Sequence, residues 1–194
     1  QSRTGAPTMT TRWGASETDW LHFDVVLGLG EHLLPVVSNP NAKISPGIKM
    51  KTLAKTPSRY NREGFVVGLP AWTSLHSTTA DIERWMTVPD YGIALQTRQV
   101  RAIDIDIDDP TLCGVLHRFI ESQGYKLPVR SRSNSGKRLL LFDLPGDYAK
   151  RSLKVEGGLL EVLMTGQQAI VSGHHPSGVR YEWLGGLPTS IPSL

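Results

Sequence analysis

Short apolar runs alternate along this chain with polar breaks rich in glycine and proline. Ser16, followed by Glu17 and Asp19, reads as a helix start, with Trp20, Phe23, Val26 and Leu27 on one face until Gly28 and Gly30 interrupt the pattern. Leu33–Val37 and Phe65–Leu69 read as strands. Thr79 is placed to cap a helix running to Met86, with Asp81 and Glu83 favourable toward its dipole. Tyr91–Leu95 and Val100–Ile107 predict two strands joined by a polar turn at Gln96–Arg98. Asp109-Pro110 supplies an N-cap and a first helical residue; Leu112, Val115, Leu116, Phe119 and Ile120 recur at helical spacing until Gly124. Leu139–Leu144, Leu159–Leu163 and Ala169–Ser172 predict three more strands. This order predicts an α+β fold with helices on one face of a sheet, and no fixed-period repeat is present.

A length of 194 residues suits one large domain or two small lobes sharing a core. The formal charge of +3 with a pI near 9.1 does not by itself indicate nucleic acid, but the basicity is segregated. Lys126–Lys154 carries eight bases (Lys126, Arg130, Arg132, Lys137, Arg138, Lys150, Arg151, Lys154) against Asp143 and Asp147, so the remainder of the chain is net acidic. Asn39–Arg62 holds Lys43, Lys49, Lys51, Lys55, Arg59 and Arg62 among three prolines, with no acid before Glu63. Both stretches read either as solvated basic surface or as phosphate-facing segments. The single cysteine, Cys113, excludes an internal disulfide and a multi-cysteine zinc site and fits a reducing cytoplasm. No apolar run approaches the ~18 residues of a membrane span, and no signal-peptide pattern is visible. Residues 1–15 read as a tag or disordered leader outside the fold.

The sharpest chemical feature is Ile103-Asp104-Ile105-Asp106-Ile107-Asp108-Asp109. On a strand the isoleucines enter the core, and Asp104 and Asp106 share the other face with Cα atoms roughly 7 Å apart. Paired carboxylates repel unless a cation holds them, and an all-oxygen set suits Mg²⁺ or Mn²⁺; a solvated acidic edge is the alternative. An EF-hand is excluded, because Asp109 and Val115 stand where that loop needs Gly and Glu. Arg130-Ser131-Arg132-Ser133-Asn134-Ser135-Gly136-Lys137-Arg138 sets small residues among cations before a strand, as a triphosphate cradle does. It is no Walker A loop, since Ser131 and Arg138 occupy two of the defining positions. Glu161 is a lone acid inside an apolar run, and His174-His175-Pro176-Ser177-Gly178 with Tyr181 follows. Adjacent histidines on an extended segment point opposite ways, which argues against a shared metal and leaves one free to meet a phosphate or sugar.

Taken in this order, the DxD strand, the basic small-residue loop, the acid on a strand, His-Pro-Ser-Gly and Tyr-x-Trp resemble the archaeo-eukaryotic primase superfamily. More narrowly, the chain is similar to the bifunctional primase–polymerase domain at the N-terminus of phage and plasmid replication proteins. Lys55-Thr56-Pro57, Trp72, the Thr79–Trp85 helix and Tyr91-Gly92-Ile93 extend the likeness upstream, over roughly positions 20–185. The resemblance implies an RRM-like catalytic sheet (96–194) packed with an N-terminal α/β lobe (16–95). It implies template-directed nucleotidyl transfer with two Mg²⁺ or Mn²⁺ ions held by Asp104, Asp106 and Glu161, making or extending primers in phage or plasmid DNA replication. Arg132, Ser135, Lys137 and His175 would bind nucleoside triphosphate, single-stranded DNA would be the template, and a fused or associated helicase would be the partner. The family's usual Ser-x-His reads Ser135-Gly136-Lys137 here, so a permanent cation replaces a titratable ring. The competing expectation is a replication-initiator module that binds single-stranded DNA without catalysis or nicks it as HUH enzymes do, through His174, His175 and Tyr181. Against nicking, the HUH motif needs a hydrophobic residue between its histidines.

Overall fold

The structure is a computed structural model that describes residues 11–194. Eleven strands and three α-helices follow one another in chain order: α1 (Glu17–Leu21), β1 (Leu33–Val37), β2 (Ser58–Tyr60), β3 (Val66–Gly68), α2 (Thr79–Met86), β4 (Tyr91–Gln96), β5 (Val100–Ile107), α3 (Pro110–Ser122), β6 (Val129–Arg132), β7 (Ser135–Asp143), β8 (Arg151–Val155), β9 (Gly158–Leu163), β10 (Gln168–Ser172) and β11 (Glu182–Trp183). They form a six-stranded antiparallel sheet ordered β11-β6-β7-β5-β9-β8, a three-stranded sheet β1-β4-β10, and the hairpin β2-β3. The α+β class predicted from the pattern is therefore observed. A division at residue 96 does not separate the sheets, because β10 returns from the C-terminal half to pair with β4.

Strand alternation explains how one core joins the two larger sheets. Val100 and Ala102 of β5, Leu139 and Leu141 of β7 and Leu163 of β9 pack with Leu33, Val37, Ile93, Leu95, Ala169 and Val171 of the smaller sheet, closed over by Trp20, Phe23, Ile82 and Trp85. On the opposite face Ile105, Ile107, Leu140 and Phe142 pack against α3. Pro35 is tolerated because β1 lies at a sheet edge.

Several expectations shift in detail. Ser16 caps α1 through Asp19 N at 3.0 Å, but the helix continues as a π turn over His22–Val26, closed by Leu27 N–H to His22 O at 3.0 Å. The wider turn rotates Val26 to the surface while Trp20 and Phe23 stay buried. Thr78, not Thr79, caps α2, because only Thr78 has an acid three residues on to complete a capping box with Asp81. In α3 the buried positions are Cys113, Gly114 and His117, whereas Val115 and Phe119 are exposed. Residues 1–10 of the expected leader lie outside the described residues, but 12–15 belong to the fold: Gly14 N–H donates to Pro89 O at 2.8 Å, Ala15 N–H to Tyr91 O at 2.9 Å, and Ala15 is buried. Among the described residues no helix is long and apolar enough to cross a membrane.

Candidate active site

Beyond Val100 and Ala102, the same face of β5 leaves the core and enters a cleft of about 380 Å³ lined by acids and bases. Asp104 and Asp106 form its acidic side; Lys55, Arg130, Arg132 and Lys137 are its cations, with His175 and Tyr181 beside them. Glu161 stands directly opposite Asp104 in the β5–β9 ladder, a pairing that sets Cβ atoms roughly 4.5–5.5 Å apart on one face. Burial raises the Asp104 pKa most, with Asp106 and Glu161 adding to it and Arg130 and Lys55 opposing.

Asp106 and Glu161 lean away from each other toward ammonium groups. Lys137 Nζ lies 2.8 Å from Asp106 Oδ1 and 3.1 Å from Asp108 Oδ1, on the β7 side. Lys150 Nζ lies 2.6 Å from Glu161 Oε1, which also accepts from Ser152 Oγ at 3.0 Å on the β8 side. In this arrangement no three metal-ligating side chains converge among the described residues. The donor set itself fits a hard divalent cation: oxygen only, three carboxylates on two adjacent strands, and a buried member whose charge a cation would stabilise.

The basic side is built by the β6–β7 hairpin, whose first strand lies where the sequence predicts a loop. β6 pairs with β7 with a register shift between Arg130 and Arg132, and the bulge lets Arg130, Ser131 and Arg132 all line the cleft. Arg130 packs over the Tyr181 ring at 4.1 Å and donates to Ile170 O. Its Nε, one terminal nitrogen of Arg132 and Gln168 Oε1 are buried without a protein partner. Three such atoms in one cleft are the pattern of a site built to hold a polar ligand or ordered water. Lys55 arrives through a strained residue: Ala54 sits at φ 58, held by its N–H to Val37 O at 2.9 Å, while Gln168 Nε2 donates to Lys55 O at 2.7 Å.

His175 Nδ1 accepts the Ser177 backbone N–H at 3.1 Å. A backbone amide only donates, so Nδ1 is bare and the proton sits on Nε2. Burial, followed by Arg132, Lys55, Arg130 and Lys137, lowers the His175 pKa to about 4. The neutral ring is therefore a fixed donor. Because the unfolded ring titrates near ~6.5, the unfolded chain binds more protons between these values, and His175 subtracts stability as pH falls through that window. Thermal melts from pH 7 to pH 4.5 should show a shallower loss for His175→Gln than for the wild type; parallel curves would contradict this.

The remaining expected residues separate. Ser135 is not in the cleft lining; its hydroxyl accepts from Lys137 N at 3.1 Å within its own strand. Arg138 faces the other way and donates to His117 on α3. His174 donates from Nδ1 to Trp13 O at 2.6 Å and packs edge-on against the Trp13 ring, so the two histidines diverge as alternation requires. Gln168 carries no signal in the sequence; Arg130 stands out only as one base of the cradle and Tyr181 only in the nicking alternative, and strand alternation over 129–132 is the further hint for the arginine.

Comparison with known families settles the kinship. The family model described as bifunctional DNA primase/polymerase, N-terminal (Prim-Pol) matches residues 26–194. The chain belongs to the Prim-Pol family. Comparison with curated proteins finds no match. A primase/polymerase-type function in DNA replication follows from the family, and the cleft is where this Prim-Pol domain gathers its acids and bases.

Proposed function

We propose that this Prim-Pol domain catalyses metal-dependent, template-directed nucleotidyl transfer, making or extending primers on single-stranded DNA in phage or plasmid replication. The observation that carries the reading is the cleft in which Asp104 and Asp106 face Lys55, Arg130, Arg132 and Lys137. Support for an RRM-like core comes from the run β5–α3–β6–β7 followed by β9, laid out as β6-β7-β5-β9; β8 stands where a βαββαβ order has its second helix.

Asp104, Asp106 and Glu161 are the residues that would hold divalent metal. Bound Mg²⁺ or Mn²⁺ supplies positive charge at the attacking 3′-hydroxyl and at the pyrophosphate leaving group. Arg132 and Lys137 offer permanent cations to a triphosphate, and His175 offers an uncharged N–H beside them. Lys55 adds a cation from the basic 39–62 segment, which with the exposed bases of 126–154 would follow template backbone.

Incubating the protein with single-stranded template, nucleoside triphosphates and Mn²⁺ should yield template-complementary products. DNA covalently attached at Tyr181, without synthesis, would replace this reading with nicking. Paired alanine variants test the assignment of bases. Arg132→Ala should raise the Michaelis constant for nucleotide about tenfold, the scale of a hydrogen bond to a charged group. Arg138→Ala should leave it unchanged and lower the melting temperature by removing the contact with His117. Equal nucleotide effects from both would count against the geometry.

A further inference from the structure

The chain meets its own acidic cluster with its own cations. Lys137 bridges Asp106 and Asp108 at 2.8 and 3.1 Å, and Lys150 holds Glu161 at 2.6 Å. We infer that Lys137 is a tethered counter-ion, seated on Asp106 when no divalent cation is bound and obliged to leave it before one can bind. This rests on the metal-dependent reading above and adds that the site's affinity for free divalent ions is set by an ammonium group of this chain.

Backbone constraints fix the position of that ammonium. Ile105 pairs with Arg138 in the β5–β7 ladder, which brings Lys137 beside Asp106. The start of β7 is pinned against α3: a Cβ on Gly136 would lie 2.6 Å from Pro110 Cα. Asp108 is held by its N–H to Gly157 O at 3.0 Å. Lys137 therefore adjusts through its four-carbon stem while its backbone stays put. A divalent ion on Asp106 would share a carboxylate with an ammonium at contact distance, and like charges that close repel strongly. Asp108 offers a second seat: it is the more exposed partner, with side-chain exposure of 80% against 50% for Asp106. Drawn off Asp106, Lys137 stays at the cleft wall on Asp108, and from there it reaches an incoming triphosphate. An ammonium makes this pairing throughout the neutral pH range, whereas an imidazole at the same place would pair only when protonated.

Mn²⁺ binding to the whole chain without nucleotide or DNA, followed by the paramagnetic resonance signal of the free ion, tests this. Lys137→Met keeps the stem and removes the charge; Lys137→Gln is a second neutral variant should Met disturb the strand. Lys55→Met is the control, because Lys55 lines the same cleft while the ion pairs of these carboxylates among the described residues are made by Lys137 and Lys150. Lys137→Met should tighten Mn²⁺ binding about tenfold or more, the scale on which a charge within ~4–6 Å acts on a carboxylate. Lys55→Met should tighten it less, because Lys55 acts on Asp104 only through the field of the cleft and occupies no carboxylate, and adding Asp106→Asn to Lys137→Met should remove the gain. Equal tightening by Lys55→Met and Lys137→Met would reduce the effect to the general field of the cleft and overturn the inference, as would unchanged binding in both neutral variants. If Mn²⁺ binds none of the folded proteins, the metal-dependent reading falls with it; if it binds wild type and Lys137→Met alike and is lost in Asp106→Asn, that reading stands and only the tether is refuted.

Discussion

Asp106→Ala should abolish template-directed incorporation, lowering kcat by at least about a hundredfold, the scale on which one preorganised electrostatic group acts in catalysis, while leaving the fold intact. Asp106 lies at the open end of the β5 face, past the point where that face leaves the core. Its ion pair with Lys137 is partly exposed, and pairs of that kind contribute little net stability, roughly 0–1 kcal/mol. Lys137 also keeps Asp108 after the substitution. Against this small loss stands relief of repulsion with Asp104, which burial already disfavours as an anion. The two effects oppose, so the melting temperature should move by only a degree or two. Asp104→Asn should lose activity comparably and gain stability, because it removes a buried charge that makes no ion pair among the described residues. Primer extension and thermal melts on both variants decide the matter: a cleanly folded Asp106→Ala protein extending at the wild-type rate would end the assignment of this cleft as the active site.

What the sequence disclosed follows from which interactions are local. The alternation Ile103/Ile105/Ile107 against Asp104/Asp106 is a property of the strand itself, and the structure places those groups on opposite faces as period 2 demands. The Asp109-Pro110 start of α3 was equally readable, since a cap needs only its own next residues: Asp109 Oδ1 accepts from Thr111 N at 2.8 Å. Non-local pairing was not readable. That β10 crosses back to β4, or that Glu161 stands opposite Asp104 and not one residue away, depends on registers set by the whole sheet. Composition hid β6 and β8, whose charged residues look like loop but in fact face a polar cleft and an exposed sheet edge. On α3 the predicted apolar positions divide: Leu112, Leu116 and Ile120 pack against the core beside buried Cys113 and His117, while Val115 and Phe119 lie exposed. Hydrophobicity alone could not choose between them.

The glycines at the turn from β8 into β9 separate two physical causes and give the second large expected effect. Val155 pairs with Gly158, leaving Glu156-Gly157 as a two-residue loop with Gly157 at φ 77. A Cβ on Gly157 meets nothing within 4 Å, so Gly157→Ala carries only the cost of a left-handed alanine, about 1–2 kcal/mol. Gly158 is different. A Cβ there would lie 2.1 Å from Asp106 O and 2.8 Å from Ile107 Cα, in a ladder where Gly158 pairs with Ile107. Backbone atoms cannot rotate aside as a side chain can, so relief requires β9 to move away from β5. Such overpacking costs typically 1–3 kcal/mol, occasionally more, and displacement at Gly158 acts on the two strands that carry Asp106 and Glu161. Gly158→Ala should therefore lower the melting temperature and also cut incorporation tenfold or more at temperatures where the variant remains folded, on the order of the loss expected when catalytic groups shift by about 1 Å. Gly157→Ala should lower the melting temperature and keep its activity when folded. Assaying both variants well below their melting points makes the comparison, and activity in Gly158→Ala equal to that in Gly157→Ala would show that the spacing of β5 and β9 does not set the geometry of the carboxylates.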